Sequence, residues 1–144
     1  MSKEDIYDPQ AYPRHTQQEL QYGDMDWQGH INNIAYLRMI ESIRAYELFG
    51  PEPIGDDSVI YAVARIEADY LRELSWPGVV DIYTRIGRIG NSSFVMEHII
   101  MQDDECCFHG LAVVVTVDKK SRKAVPLTEE MRRTLKRWQS PKEK

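Results

Sequence analysis

Residues 22–50, YGDMDWQGHINNIAYLRMIESIRAYELFG, join a polar segment to the longest helical pattern in the chain. From Asn33 to Gly50 the apolar residues recur about every 3.6 positions, which predicts one long amphipathic helix. Asn32 or Asn33 suits its N-cap, and Gly50-Pro51 suits its end, because proline cannot continue a helix. The stripe predicted to face the core comprises Tyr36, Met39, Ile40, Ile43 and Tyr46.

The segments on either side of this helix have the patterns of strands: most alternate apolar and polar residues, and the last is an apolar run that suggests burial on both faces. The predicted strands cover residues 14–22, 58–71, 79–89, 93–101 and 106–117, and a short helix is predicted over 127–138. In 58–71 the alternation places on one face Ile60, Ala62, Ala64, Ile66, Ala68 and Tyr70. One apolar helix followed by an antiparallel meander predicts an α+β fold, with the sheet curled around that helix. Such a sheet has open edges, so we expect a homodimer joined edge to edge.

Length and composition indicate one globular domain over residues 1–144, with an N-terminal arm at 1–13 and a polar tail at 139–144. The net charge of −5 argues against a nucleic-acid-binding surface. No apolar segment resembles a signal peptide or approaches a membrane span, so we expect a cytoplasmic protein without membrane contact. The adjacent Cys106 and Cys107 lack the spacing of a metal site and suit a buried strand.

The polar segment before the helix carries groups suited to acyl chemistry. A helix N-terminus presents free N–H groups and a positive potential, which together can polarise a carbonyl oxygen. Asp26 could attack that carbonyl or activate a water, Gly29 lets the backbone approach a ligand, and His30 could donate a hydrogen bond. The alternative is structural, because Asp24 and Asp26 are also residues typical of turns and helix starts.

The string D-x-D-x-x-G-H-I-N-N-x-x-Y-L at 24–37, followed by a helix with an early glutamate, resembles the signature of the hotdog-fold acyl-CoA thioesterases. This group includes the 4-hydroxybenzoyl-CoA thioesterase-like family, and the resemblance extends over about residues 14–125. It implies a hotdog fold, in which a curved antiparallel sheet wraps one long helix and a short C-terminal helix follows. It also implies hydrolysis of a thioester to a free acid and coenzyme A.

The resemblance implies catalytic roles for particular side chains. The carboxylate just before the glycine is Asp26, implied as nucleophile or general base. The pattern of the plant acyl-carrier-protein thioesterases places its asparagine at Gln28 and its histidine at His30, so this chain departs from that pattern at Gln28. Glu41 matches a glutamate common in these families. Its alternative role is an ion pair with a neighbouring arginine of the helix.

The resemblance also implies substrate contacts along the helix and the sheet. N–H groups around 29–32 would hold the thioester oxygen, and the acyl chain would lie beside the apolar stripe. Basic side chains of the sheet and of the loop at 118–123 would approach the coenzyme A phosphates, although a solvated hairpin is the alternative for that loop. The implied substrate-binding residues are Gly29, Ile31, Asn32, Asn33, Tyr36, Ile40, Arg65, Arg88, Ser92 and Ser93.

The implied partners are an acyl-CoA, or the thioester of an acyl-carrier protein, and further copies of the chain in a homodimer or homotetramer. No metal or cofactor is implied. Two other functions stay open at this point: a non-catalytic acyl-thioester-binding module of the same fold, and a hotdog dehydratase of 3-hydroxyacyl thioesters. The string HINN at 30–33 fits the pattern of those dehydratases poorly.

Overall fold

The computed structural model describes residues 3–141, with side chains from Asp5 onward. Apart from a short first helix within the predicted arm, its helices and strands follow the predicted order. The helices are α1 (Lys3–Ile6), α2 (Asn33–Phe49) and α3 (Glu129–Arg137). The strands are β1 (Arg14–Glu19), β2 (Val59–Tyr70), β3 (Val79–Ile89), β4 (Ser93–Gln102) and β5 (Glu105–Asp118). The first strand is shorter than predicted, because the chain turns into a 3-10 segment at Tyr22–Asp24.

The strands form one five-stranded antiparallel sheet in the order β1-β3-β4-β5-β2. One face of this sheet packs against α2, which confirms the predicted α+β arrangement of a sheet around one long helix. The core between them includes, from the sheet, Val80, Ile82, Ile100 and Phe108. Cys107 is buried and Cys106 half-buried on β5, as predicted, and burial raises the pKa of both thiols.

The ends of α2 are set by its capping residues. Asn32 is the N-cap, and its Oδ1 accepts a hydrogen bond from the Ile34 N–H at 2.8 Å. At the other end, a Cβ on Gly50 would lie 2.2 Å from the Tyr46 carbonyl oxygen. Glycine is therefore required there for space. Within residues 3–141, no helix combines the length and the apolar character needed to cross a membrane.

The buried face of α2 differs in part from the predicted stripe. Tyr46 is 59% exposed, so its place in that stripe was wrong. Arg44 and Glu47 are buried instead, each 7% exposed. Glu47 can face inward because Arg14 of β1 lies against it, with Nε 2.8 Å from Oε2. The charged pair thus replaces the predicted aromatic contact at this end of the helix.

The predicted faces of β2 were also wrong for half of the strand. A β-bulge between Val63 and Arg65 inserts one extra residue, and this shifts the alternation. Val63, before the bulge, and Ile66, after it, therefore share the face that carries the core residues of β5. β2 is an edge strand of the sheet, and α2 leaves much of this face of β2 uncovered.

Both ends of the described chain pack against the sheet. Ala11 and Tyr12 of the predicted arm are buried against Ile99 on the outer face, away from α2. Ser140 of the predicted tail is fully buried, and the Gln139 side chain donates a hydrogen bond to the Gly87 carbonyl at 2.9 Å. Residues 1–2 of the arm and 142–144 of the tail lie outside the described residues.

Candidate active site

The loop at 24–32 holds Asp26 beside the N-terminus of α2. Across this loop, the Asp26 N–H donates to the His30 carbonyl at 2.7 Å, and the Gly29 N–H donates to the Asp26 carbonyl at 3.0 Å. The Oδ1 of Asp26 accepts from the N–H groups of Gln28 at 2.9 Å and His30 at 3.1 Å. Gly29 has a φ of 82°, in the left-handed region that favours glycine. Both hydrogen bonds to the carboxylate go to Oδ1, so Oδ2 is the oxygen left for a ligand.

Asp24 has a structural role in the same loop. Its carboxylate is 4% exposed and accepts a hydrogen bond from the Gln21 N–H at 2.8 Å. Its other oxygen forms an ion pair with the guanidinium of Arg38 on α2. This pair ties the loop to the helix. The turn-forming alternative therefore describes Asp24, whereas Asp26 both shapes the loop and borders an open cleft.

Most backbone N–H groups of the loop are already paired. Those of residues 28, 29 and 30 donate to Asp26, and that of Asn32 donates to the Asp24 carbonyl at 2.8 Å. Within 28–33 of the described chain, the N–H groups left without an acceptor are those of Ile31 and Asn33. These two donors, at the positive end of α2, are the ones that an oxyanion could use.

An open cleft of about 470 Å³ lies beside this loop. It brings together several predicted site residues and a second segment, which begins at the last residue of β2. From the loop and α2 the lining residues are Asp26, Gln28, His30, Ile31, Asn32, Asn33 and Tyr36. From the second segment they are Tyr70, Leu71, Arg72 and Glu73.

The segment at 70–73 is the part of the cleft that the sequence did not reveal. The Tyr70 hydroxyl donates to the Asn33 carbonyl at 2.9 Å, which joins the end of β2 to the start of α2. Oε1 of Glu73 lies 3.8 Å from Nδ1 of His30. Nothing local in these residues signals a site, because their place depends on how β2 pairs in the sheet.

Other residues implied as part of the site lie outside the cleft. Glu41 is exposed on α2 and does not line the cleft; its negative charge instead partly offsets the effect of burial on the pKa of Arg44, which is lowered. Ile40 is 5% exposed within the core between α2 and the sheet. The structure therefore supports neither a catalytic position for Glu41 nor an open channel beside Ile40 among the described residues.

The basic residues implied at the coenzyme A phosphates, and the serines implied near the rest of that carrier, lie away from the cleft of their own chain. The loop at 118–123 contacts the start of β2, where the Lys119 N–H donates to the Ser58 carbonyl at 3.0 Å. The cleft adjoins the other end of β2, roughly 35 Å away at ~3.3 Å per residue. The β3–β4 turn, with Arg88, Ser92 and Ser93, lies at the end of the sheet near that loop. Arg65, midway along β2, pairs with Glu67.

Comparison with known proteins assigns the chain to a family. A family model described as the thioesterase-like superfamily matches residues 20–135. The chain belongs to the thioesterase-like superfamily. Among curated proteins, this superfamily member is similar to the uncharacterized protein YsmA of Bacillus subtilis (strain 168), with 29% identity over 118 residues. The match covers 81% of this chain and 80% of YsmA.

Solved structures give the same assignment. The PA5185 protein of Pseudomonas aeruginosa strain PAO1 matches with a TM-score of 0.78 and 28% identity, over 92% of this chain and 96% of that one. A thioesterase of Thermus thermophilus, complexed with coenzyme A and Zn, matches with a TM-score of 0.72 and 29% identity, over 86% of this chain and 98% of that one. These likenesses confirm the hotdog fold and support thioesterase activity in general.

Proposed function

We propose that this thioesterase-like chain hydrolyses an acyl-CoA, with Asp26 as nucleophile or general base. The observation that carries the proposal is the position of Asp26. Within the described residues its Oδ2 has no hydrogen-bond partner, and Asp26 borders the same open cleft as Ile31 and Asn33, whose N–H groups have no acceptor there. The coenzyme A bound to the Thermus thermophilus relative supports coenzyme A as the carrier. A cytoplasmic location remains the prediction from the sequence.

In this proposal the thioester carbonyl lies with its oxygen against the two free N–H groups. These donors stabilise the negative charge that develops on the oxygen when the carbonyl carbon is attacked. As nucleophile, Asp26 forms an acyl anhydride, the C–S bond breaks, and water then releases the acid. As general base, Asp26 instead takes a proton from the attacking water. In both routes the thiolate leaves and is protonated, and one water is consumed.

The side chains of His30 and Gln28 border the same cleft and would contact the substrate. The main chain of His30 is held by its N–H bond to Asp26, and its ring lies near Glu73. Its ring is exposed and can turn toward a bound thioester. Gln28 carries the same amide group as the asparagine of the plant enzymes on a side chain that is one methylene longer.

Release of free thiol from a panel of acyl thioesters tests this proposal. We expect at least one acyl-CoA to be hydrolysed with a kcat of about 1 s⁻¹ or more, the ordinary range for enzymes. The panel includes acyl-carrier-protein thioesters, which test the carrier, and a 3-hydroxyacyl-CoA. Enoyl absorbance without thiol release would instead show a dehydratase. Binding of acyl-CoA and acyl-carrier-protein thioesters without turnover would contradict hydrolysis and favour a non-catalytic binding module.

We further propose a homodimer, or a homotetramer built from it, formed by pairing β2 with β2 of a second copy. Among the described residues, no strand pairs with this edge of the sheet. It exposes apolar side chains that a second copy would cover: Val63, Ile66, Tyr70 and Leu71. Antiparallel pairing about a two-fold axis would bring the 118–123 loop of one copy toward the cleft of the other. The basic loop could then approach the coenzyme A phosphates.

Ile66→Asp should weaken this dimer. A two-fold interface would bury the carboxylate twice, so we expect the dissociation constant to rise at least about 100-fold. Analytical ultracentrifugation over a range of concentrations measures it. Val79→Asp is the matched control, because Val79 is also an exposed apolar strand residue, 49% exposed, but lies on β3. An unchanged association of Ile66→Asp would rule out β2 as the interface.

A further inference from the structure

The cleft beside Asp26 ends at Tyr36. Tyr36 lines the cleft and also belongs to the core between α2 and the sheet, where it is 3% exposed. The next inward-facing residues of α2, Met39, Ile40 and Ile43, belong to this core. None of them lines the cleft, although Met39 and Ile43 border other pockets at the surface. Tyr36 is therefore the side chain of α2 that lies between the cleft and the packed core.

Hydrogen bonds hold Tyr36 in this position. Its hydroxyl accepts from the Leu74 N–H at 3.0 Å and donates to the Arg72 carbonyl at 3.4 Å. Both partners belong to the chain that follows β2, which forms the opposite wall of the cleft. Swinging the ring aside would break these bonds and leave the main-chain groups unpaired, which costs free energy where the site is buried.

Aromatic packing holds the ring as well. The centroid of the Tyr36 ring lies 5.1 Å from that of Tyr70, edge-on, and 5.7 Å from that of Phe108. Tyr70 and Phe108 also contact each other, at 5.3 Å. Edge-to-face contacts of this kind stabilise ring orientation. The end of the cleft is thus a wall of mutually packed rings.

We propose that Tyr36 is the specificity-determining residue that restricts the substrate to thioesters of compact acyl groups, either short chains or a single ring. This inference rests on the proposed hydrolysis at Asp26. A thioester carbonyl held at the start of α2 places the acyl group against the ring wall after a few atoms. Within one subunit, a longer chain has no covered path inward past Tyr36, so its additional methylenes would lie outside the cleft.

The hydrolysis rates of a series of straight-chain acyl-CoA thioesters, from acetyl to palmitoyl, test the proposal in the wild type. Each methylene that the cleft covers should raise kcat/KM about fourfold. We expect this rise to stop at a short chain, and lauroyl and palmitoyl thioesters to be no better than hexanoyl. Long-chain substrates are used below their micelle concentration. A rise that continues through the long chains would overturn the proposal.

Substitution of Tyr36 then tests whether this ring sets the limit. Tyr36→Leu shortens the side chain while keeping it apolar. In this variant the increase of kcat/KM with chain length should continue for one or more additional methylenes. Tyr36→Phe keeps the ring and loses only the hydroxyl, so its chain-length limit should match the wild type. If the Tyr36→Leu protein is folded and kcat/KM stops increasing at the same chain length as in the wild type, Tyr36 does not set the limit.

These outcomes are separable from failure of the proposed function. If the wild type hydrolyses no member of the panel, the proposed hydrolysis is wrong, and the proposed chain-length limit is rejected with it. If the wild type hydrolyses short and long chains alike, hydrolysis stands and the Tyr36 wall is rejected. A Tyr36→Leu protein that fails to fold leaves the wild-type series as the deciding measurement.

Discussion

In the Asp26→Asn variant, we expect thiol release from the best acyl-CoA substrate to fall by about 100-fold or more. Asparagine keeps an Oδ1 that can accept from the N–H groups of Gln28 and His30, so the loop should retain its shape. The substitution removes the negative charge, which the carboxylate needs either to attack the carbonyl or to take a proton from water. Steady-state kinetics and thermal unfolding of both proteins measure the two effects.

Asp24→Asn is the matched control in the same loop. The buried carboxylate of Asp24 pairs with Arg38, so its loss should lower the free energy of unfolding by about 1–3 kcal/mol. The kcat of the folded protein should stay within a few-fold of the wild type. If Asp26→Asn retains activity within about fivefold, the essential carboxylate lies elsewhere. Glu73, the other carboxylate at the cleft, would then be the next residue to replace.

The elements that the sequence predicted well are those with local signals. The 3.6-residue period, the asparagine N-cap and the Gly-Pro end of α2 all lie within one segment. The observed helix begins and ends within one residue of its predicted limits. The strands β3 to β5 also lie within about a residue or so of their predicted limits, because turn residues separate them. Local periodicity therefore determined the fold class and the order of elements.

The errors arose where a tertiary contact overrides periodicity. The bulge in β2 turns Ile66 onto the same face as Val63, and strict alternation cannot express an inserted residue. On α2, Glu47 is buried because Arg14 of a distant strand compensates its charge. A sequence pattern treats such a residue as exposed, since an unpaired buried charge is costly.

The candidate site likewise has one part that the sequence predicted and one part that it did not. The loop at 26–33 was predicted because its residues are contiguous and carry a motif. The wall at 70–73 was missed because it reaches the loop only through the pairing of β2 with β5. The residues at 118–123 show the converse case, since their composition suited phosphate but their position within one chain is far from the cleft. The residue types in the sequence indicated which chemistry is possible, whereas only the folded structure shows which of these residues lie close together.

His98 is the buried ionisable group for which we expect the largest effect of pH on stability. It is fully buried on the helix side of β4, and its Nδ1 lies 2.9 Å from the Thr84 hydroxyl. Within the described chain, its Nε2 has no hydrogen-bond partner. Burial, and secondly the positive charge of Arg44, lower the pKa of His98 to about 3. The folded protein therefore holds this imidazole neutral.

The sign of the pH effect follows from the two protonation states. The unfolded chain binds a proton at His98 below about pH 6.5, whereas the folded chain resists protonation down to about pH 3. Stability is therefore lost as the pH falls through this window. Between pH 7 and pH 5 the loss from this residue should be about 2 kcal/mol. His98→Asn has no group that titrates there, so its stability should change correspondingly less.

Denaturant unfolding of the wild type and His98→Asn at pH 7, 6 and 5 measures this difference. The contributions of titrating groups that both proteins share cancel in the comparison. Thr84→Val is the control, because it removes the partner of Nδ1 without removing the imidazole. We expect Thr84→Val to lose about 1 kcal/mol at every pH and to keep the wild-type slope. If the wild type and His98→Asn instead change in parallel from pH 7 to pH 5, the folded state accommodates the protonated ring. The buried imidazole would then have a partner for Nε2 that the single chain does not provide.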